Sequence, residues 1–116
     1  MDLYCTIFVD ADFGSGPLYR LIQSDISYIL DILDIYYNNN DDYHASLKLR
    51  PEDGFLYYRW FLDIEPKPNI TPEEYIAAVG SLLCVLWRAG CKAVAACDFE
   101  DELPRRGGYG SGNEAN

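Results

Sequence analysis

The segment Thr71-Pro72-Glu73-Glu74 constrains this chain more than any other. A threonine followed three positions later by a glutamate is the capping-box pattern, in which two side chains satisfy backbone N–H groups at a helix start. Proline suits the first helical position, and acidic residues suit the positive end of the helix dipole. Tyr75, Ile76, Val79, Leu82, Leu83, Leu86 and Trp87 then recur at helical spacing. Gly90 ends the pattern, with Arg88 in the last turn. A helix with such clear ends needs something flat to cover. Strand patterns flank it on both sides, over 55–66 and 92–99.

In the first of these strands Leu56, Tyr58, Trp60, Leu62 and Ile64 face one way. Tyr57, Arg59, Phe61, Asp63 and Glu65 face the other way, as a strip half aromatic and half charged. The later strand, Lys92 to Phe99, is built of small residues that leave room for large side chains from a helix above it.

The first half reads as compatible architecture. Leu3 to Asp10 is a strand rich in β-branched and aromatic residues. Ser15 caps a helix with Pro17 in its first turn and Leu18, Leu21 and Ile22 on one face, ending near Ser24. A strand over Tyr28 to Tyr37 follows, although Ile22, Ile26, Ile29, Leu30 and Leu33 would also let the helix run on through Leu33. Asn38 to Asp42 is a turn, Tyr43 to Arg50 an expected short strand, and Pro51 to Gly54 a second turn, with Gly54 free to take a positive φ. The order β-α-β-β-α-β predicts an α+β fold of the ferredoxin-like, split βαβ kind: an antiparallel sheet with two helices on one face. One domain is expected over 1–104, with a glycine-rich mobile tail over 105–116.

Composition narrows the function. Net charge is −10, from 19 acidic and 9 basic residues, which is the wrong sign for a nucleic-acid binder and suits a basic protein partner. A merely soluble acidic protein has the same charge. No apolar run reaches the ~18 residues of a membrane span, and the first residues carry no basic region of a secretory signal, so the expected location is cytoplasmic. Cys5, Cys84, Cys91 and Cys97 form no C-x-x-C pair, and the single histidine, His44, lies far from them in sequence. They read as reduced thiols rather than zinc ligands, and no metal or cofactor is expected.

Two acidic groups invite a chemical reading. Asp98, Glu100, Asp101 and Glu102 follow the last strand as the densest charge in the chain. Asp10, Asp12, Asp63, Glu65 and Asp98 all sit near expected strand ends, where carboxylates could converge on a hard cation. Asp63 and Glu65 share a strand face, a common spacing, and two carboxylates could serve as general acid and base. An alternative reading is a small metal-dependent hydrolase using the acidic residues near Asp98, from Asp98 to Glu102. A second alternative is an acidic nucleic-acid mimic, which needs regularly spaced carboxylates where these cluster. Runs of acids are usually solvated loops, and the chain has no nucleophile motif, so the expected class is not an enzyme.

The segments Phe55-Leu-Tyr-Tyr-Arg-Trp-Phe-Leu-Asp-Ile-Glu-Pro66, Tyr75 to Leu86, and Ala95-Ala-Cys-Asp-Phe-Glu-Asp-Glu-Leu-Pro104 with Gly107-Gly-Tyr109 resemble small acidic immunity proteins of bacterial polymorphic and contact-dependent toxin systems. The resemblance covers about half the chain. It implies a cytosolic, non-enzymatic inhibitor that binds a cognate toxin domain, many of which are nucleases with basic clefts. The charge and the lack of a long apolar run add the expectation of no nucleic acid and no membrane, and the free chain is expected to be a monomer or weak dimer. The family assigns no contact residues. Charge and position single out Asp63, Glu65, Asp98, Glu100, Asp101 and Glu102, with Tyr57 and Phe61 as aromatic anchors.

Overall fold

The computed structural model describes residues 2–25 and 27–109. Strands β1 (Cys5–Asp10), β2 (Leu33–Asn39), β3 (Trp60–Pro66) and β4 (Lys92–Cys97) form one antiparallel sheet in the order β2-β3-β1-β4. Helix α1 (Ser15–Asp25) follows β1, and α2 (Pro72–Arg88) follows β3.

The capping box forms as the sequence demands. Glu74 N–H donates to Thr71 Oγ1 at 3.1 Å, and Thr71 N–H donates to Glu74 Oε1 at 3.1 Å. At the far end Gly90 takes φ 91°, its N–H reaches the Trp87 carbonyl, and Cys91 N–H reaches the Leu86 carbonyl. This is a Schellman stop, which needs a left-handed residue at that point. Between these ends Tyr75, Val79, Leu82, Leu83 and Leu86 are buried. They meet Cys5, Ile7 and Val9 of β1 and Leu62 and Ile64 of β3, with Leu18 and Ile22 of α1 in the same core. Tyr75 is buried with its hydroxyl donating to the Ile64 carbonyl at 3.0 Å, so its polar end is not orphaned.

Several local expectations are corrected. β3 starts at Trp60 and not at Phe55, and a 3-10 turn covers Gly54–Tyr57. A strand exists only where a neighbour pairs with it. The last ladder partners here are Asn39 on β2 and Val9 on β1, both opposite Trp60, and beyond them only isolated backbone bonds remain, from Asn40 N–H to the Arg59 carbonyl and from His44 N–H to the Tyr57 carbonyl. Side chains complete the bonding of that backbone. The Asn40 amide donates to the Leu56 and Tyr58 carbonyls, and Asp10 accepts Arg59 N–H. Leu56 is accordingly exposed, and Tyr57 lies off the sheet.

Tyr43 to Arg50 is not a strand: its ordered part is a 3-10 turn over Leu47–Leu49. His44 Nδ1 accepts the backbone N–H groups of Ser46 and Leu47 at 3.2 and 3.1 Å, which fixes the turn. Gly54 serves this loop by absence of bulk and not by a positive φ. A Cβ there would lie 2.3 Å from the Lys48 carbonyl oxygen.

The stretch expected as a strand from Tyr28 begins as a 3-10 turn (Ser27–Asp31), and β2 starts only at Leu33 opposite Pro66. Helix α1 therefore stops at Asp25 and does not run to Leu33. The expected cap by the Ser15 side chain lies outside the described side chains.

The face of the sheet away from the helices is partly roofed. Phe55 packs edge-on to Phe8 at 5.4 Å, and Tyr109 packs edge-on to Phe55 at 5.2 Å. Residues Arg105 to Tyr109, expected to open the tail, lie against β4. Gly107 and Gly108 are buried at φ 82° and 100°, and a Cβ on Gly108 would meet the Ala93 carbonyl oxygen at 2.4 Å. The Trp87 indole donates to that same oxygen. The outer edge of β4 is thus covered, which removes one sheet edge from pairing with another chain. The mobility expected beyond Tyr109 concerns residues outside the described ones.

Candidate partner-binding face

The register decides which expected residues meet. Thr6, Asp63 and Tyr36 are neighbours across β1, β3 and β2, as are Phe8, Phe61 and Asn38. Glu65 stands opposite Asp34. These side chains lie on the face away from the helices, because their strand neighbours Ile7, Leu62 and Ile64 fill the core.

Asp63 is the centre of this face. Its carboxylate accepts the Tyr4 hydroxyl, the Thr6 hydroxyl at 3.1 Å and the Asn38 amide at 3.2 Å. All three donors are neutral, so the negative charge is oriented without being cancelled. The bond to Asp63 pushes the Tyr4 hydroxyl above its ordinary pKa. Tyr4 is 45% exposed and Tyr36 is 53% exposed. Glu65 is exposed and lies opposite Asp34, a like-charge pairing that costs energy across a sheet. Lys67 relieves it by reaching Asp34 at 2.6 Å.

Phe61 is half-buried and packs 6.1 Å from Phe8, under the roof made by Phe55 and Tyr109. It belongs to that aromatic layer as well as to the strip. Tyr57, the other expected anchor, sits in the loop and not beside it.

The turn after β4 divides into anchored and solvated carboxylates. Glu100 accepts the Cys97 N–H at 3.0 Å and the Tyr109 hydroxyl at 3.0 Å, so it holds the C-terminal segment in place. Asp98 accepts the Asp2 N–H at 3.2 Å, which ties the chain's start to the end of β4. Asp101 pairs loosely with Arg106 at 3.5 Å, both more than 80% or close to it in solvent exposure. Glu102 borders a groove of about 580 Å³ along α2, with Ile76, Cys84 and Arg88.

Asp10 joins neither group. It is buried, 2.7 Å from Lys48 Nζ, at the opposite end of β1 from Asp98: Asp10 pairs with Lys92, whereas Cys5 pairs with Cys97. The five strand-end carboxylates therefore do not converge. Among the described residues no three His, Cys, Asp or Glu side chains come together as a metal-binding group.

The residues that sequence reasoning missed are Tyr4, Asp34 and Tyr36. A signal for two of them was present: Asp34, Tyr36 and Asn38 alternate with Leu33, Ile35 and Tyr37. Nothing local marks Tyr4, whose role comes from the β1–β3 register.

Among the described residues no helix is long and apolar enough to cross a membrane. The chain matches no protein-family model, no curated protein and no solved structure.

Proposed function

We propose that this chain is a small acidic immunity protein that neutralises a cognate bacterial toxin domain by stoichiometric binding, in the cytoplasm and without catalysing a reaction. The observation that carries this reading is the end of the open face where Tyr4, Asp34, Tyr36, Asp63 and Glu65 sit side by side. Exposed tyrosines are enriched at protein interfaces, and the carboxylates beside them supply charge that a basic partner would complement. A net charge of −10 favours a basic partner, such as the cleft of a nuclease, and speeds encounter with it. Asp98, Asp101 and Glu102 extend the acidic surface beyond this strip. We read the order β-α-β-β-α-β with strands arranged β2-β3-β1-β4 as the ferredoxin-like, split βαβ pattern, a scaffold that hosts many activities and does not by itself select one.

The test is capture of partners by the tagged protein from its own strain, read by mass spectrometry. Stoichiometric recovery of the C-terminal part of one large multidomain protein supports the reading. Recovery of no such protein, while the strain expresses its toxins, refutes it.

A further inference from the structure

We propose that Cys5 and Cys97 are an oxidisable pair that closes into a cross-strand disulfide when the protein meets a peroxide, joining the first strand of the sheet to the last. The two residues are direct partners in the antiparallel β1–β4 ladder. Opposed residues in such a ladder have Cα atoms about 4.5 or 5.5 Å apart, and both spacings fall within the roughly 4.4–6.8 Å that a disulfide spans. Partners in register also point to the same side of the sheet, so no backbone rearrangement is needed to bring the sulfurs together. Side chains at one rung of such a ladder are direct neighbours, so the two sulfurs lie within reach of each other.

The environments assign the roles. Cys5 is fully buried, whereas Cys97 is half-buried at the end of β4. The hydrogen bond from Cys5 favours the Cys97 thiolate and lowers its pKa, while donation and burial push Cys5 up. Cys97 is therefore the sulfur that reacts first and Cys5 the one that resolves it. In the first step the Cys97 thiolate attacks one oxygen of hydrogen peroxide. The O–O bond breaks, Cys97 becomes a sulfenic acid, and the leaving hydroxide takes up a proton as water. In the second step Cys5 sulfur attacks the sulfenic sulfur, the S–O bond breaks, and a second water leaves with the Cys5 proton. The two thiols lose two electrons and the peroxide gains them.

The other cysteines are not placed for this. Cys84 lies in the groove along the outer side of α2, and burial pushes the Cys91 thiol up to about 11.

The experiment uses the intact chain, treated with hydrogen peroxide, denatured, and alkylated with N-ethylmaleimide. We expect loss of two of the four alkylatable thiols, a mass lower by two hydrogens before alkylation, a peptide joining Cys5 to Cys97, and full return of labelling after dithiothreitol. Four alkylated thiols after excess peroxide overturn the proposal. So does Cys97 accumulating as sulfinic acid beside a free Cys5, or a cross-link that involves Cys84 or Cys91. The C84S/C91S variant should keep the whole response, and C97S should lose it while leaving Cys5 unoxidised. If C97S does not fold, peptide mapping of the wild-type chain makes the same distinction.

Discussion

Lys48 Nζ lies 2.7 Å from Asp10 Oδ2, which fastens the loop between β2 and β3 to the end of β1. Arg59 N–H donates to the other oxygen of the same carboxylate, and Tyr43 receives both cations over its ring. Asp10 is buried, so its charge depends on these partners.

Replacing Lys48 with Met should destabilise the protein by about 2 kcal/mol, because a buried carboxylate loses its nearer charge partner and keeps only a backbone donor and the Arg59 guanidinium at 3.7 Å. Urea unfolding at neutral pH measures this. The Asp10 carboxylate holds the Lys48 ammonium above the ordinary lysine range. The pair's contribution is thus complete below the unfolded lysine pKa of ~10.4 and is lost as pH rises through the folded value. Wild-type stability should fall over that alkaline window more than K48M does. Equal alkaline slopes would show that Lys48 is not linked to Asp10 in solution.

Thr71→Ala removes the acceptor for Glu74 N–H and should cost about 1 kcal/mol. The Thr71 N–H and hydroxyl hold Glu74 below the usual carboxylate pKa. That stabilisation is present above the unfolded Glu pKa of ~4.3 and disappears as pH falls through the folded value. The acid-side loss of stability should therefore be smaller in T71A than in wild type, as read from thermal melts at stepped pH.

Two glycines with similar φ should respond differently to alanine. At Gly90, φ is 91° and an added Cβ meets nothing within 4 Å, so the cost is left-handed strain of about 1 kcal/mol. At Gly108 the same strain is joined by a 2.4 Å approach to the Ala93 carbonyl, and the cost should be at least twice as large. Equal melting temperatures for G90A and G108A would show that the C-terminal segment does not rest on β4.

Charge reversal separates the two kinds of carboxylate after β4. Glu100→Lys leaves the Cys97 N–H and the Tyr109 hydroxyl without their acceptor, and should cost about 1–3 kcal/mol. Asp101→Lys disturbs only an exposed pair and should change stability by less than about 0.5 kcal/mol. Binding to a captured toxin domain should weaken in D101K and in the E65K variant of the open face, with folding intact. Unchanged affinity in both would remove these carboxylates from the interface.

How much of this was legible beforehand follows from where each signal resides. The Thr71–Gly90 helix was readable because its caps, dipole complement and apolar stripe all lie within the same short stretch of chain. The core side of β3 from Trp60 to Ile64 was readable from period-two alternation, and the Lys92–Cys97 strand from its run of small apolar residues. The start of β3 was not, since Phe55 to Arg59 alternate just as well as Trp60 to Glu65. Only the lengths of the neighbouring strands decide that the sheet ladder ends at Trp60.

The same division holds for the candidate site. Composition and period-two alternation alone establish the acidic balance, the aromatic content, and the fact that Asp63 and Glu65 share a strand face. Tertiary structure decided that Asp63 would be held by Tyr4, Thr6 and Asn38, that Glu100 would be an anchor and not a free charge, and that Cys5 would face Cys97. Spacing along a chain reports which residues share a face of one element. Which residues of different elements touch is set by strand register, and register comes from the packing of the whole sheet against its helices.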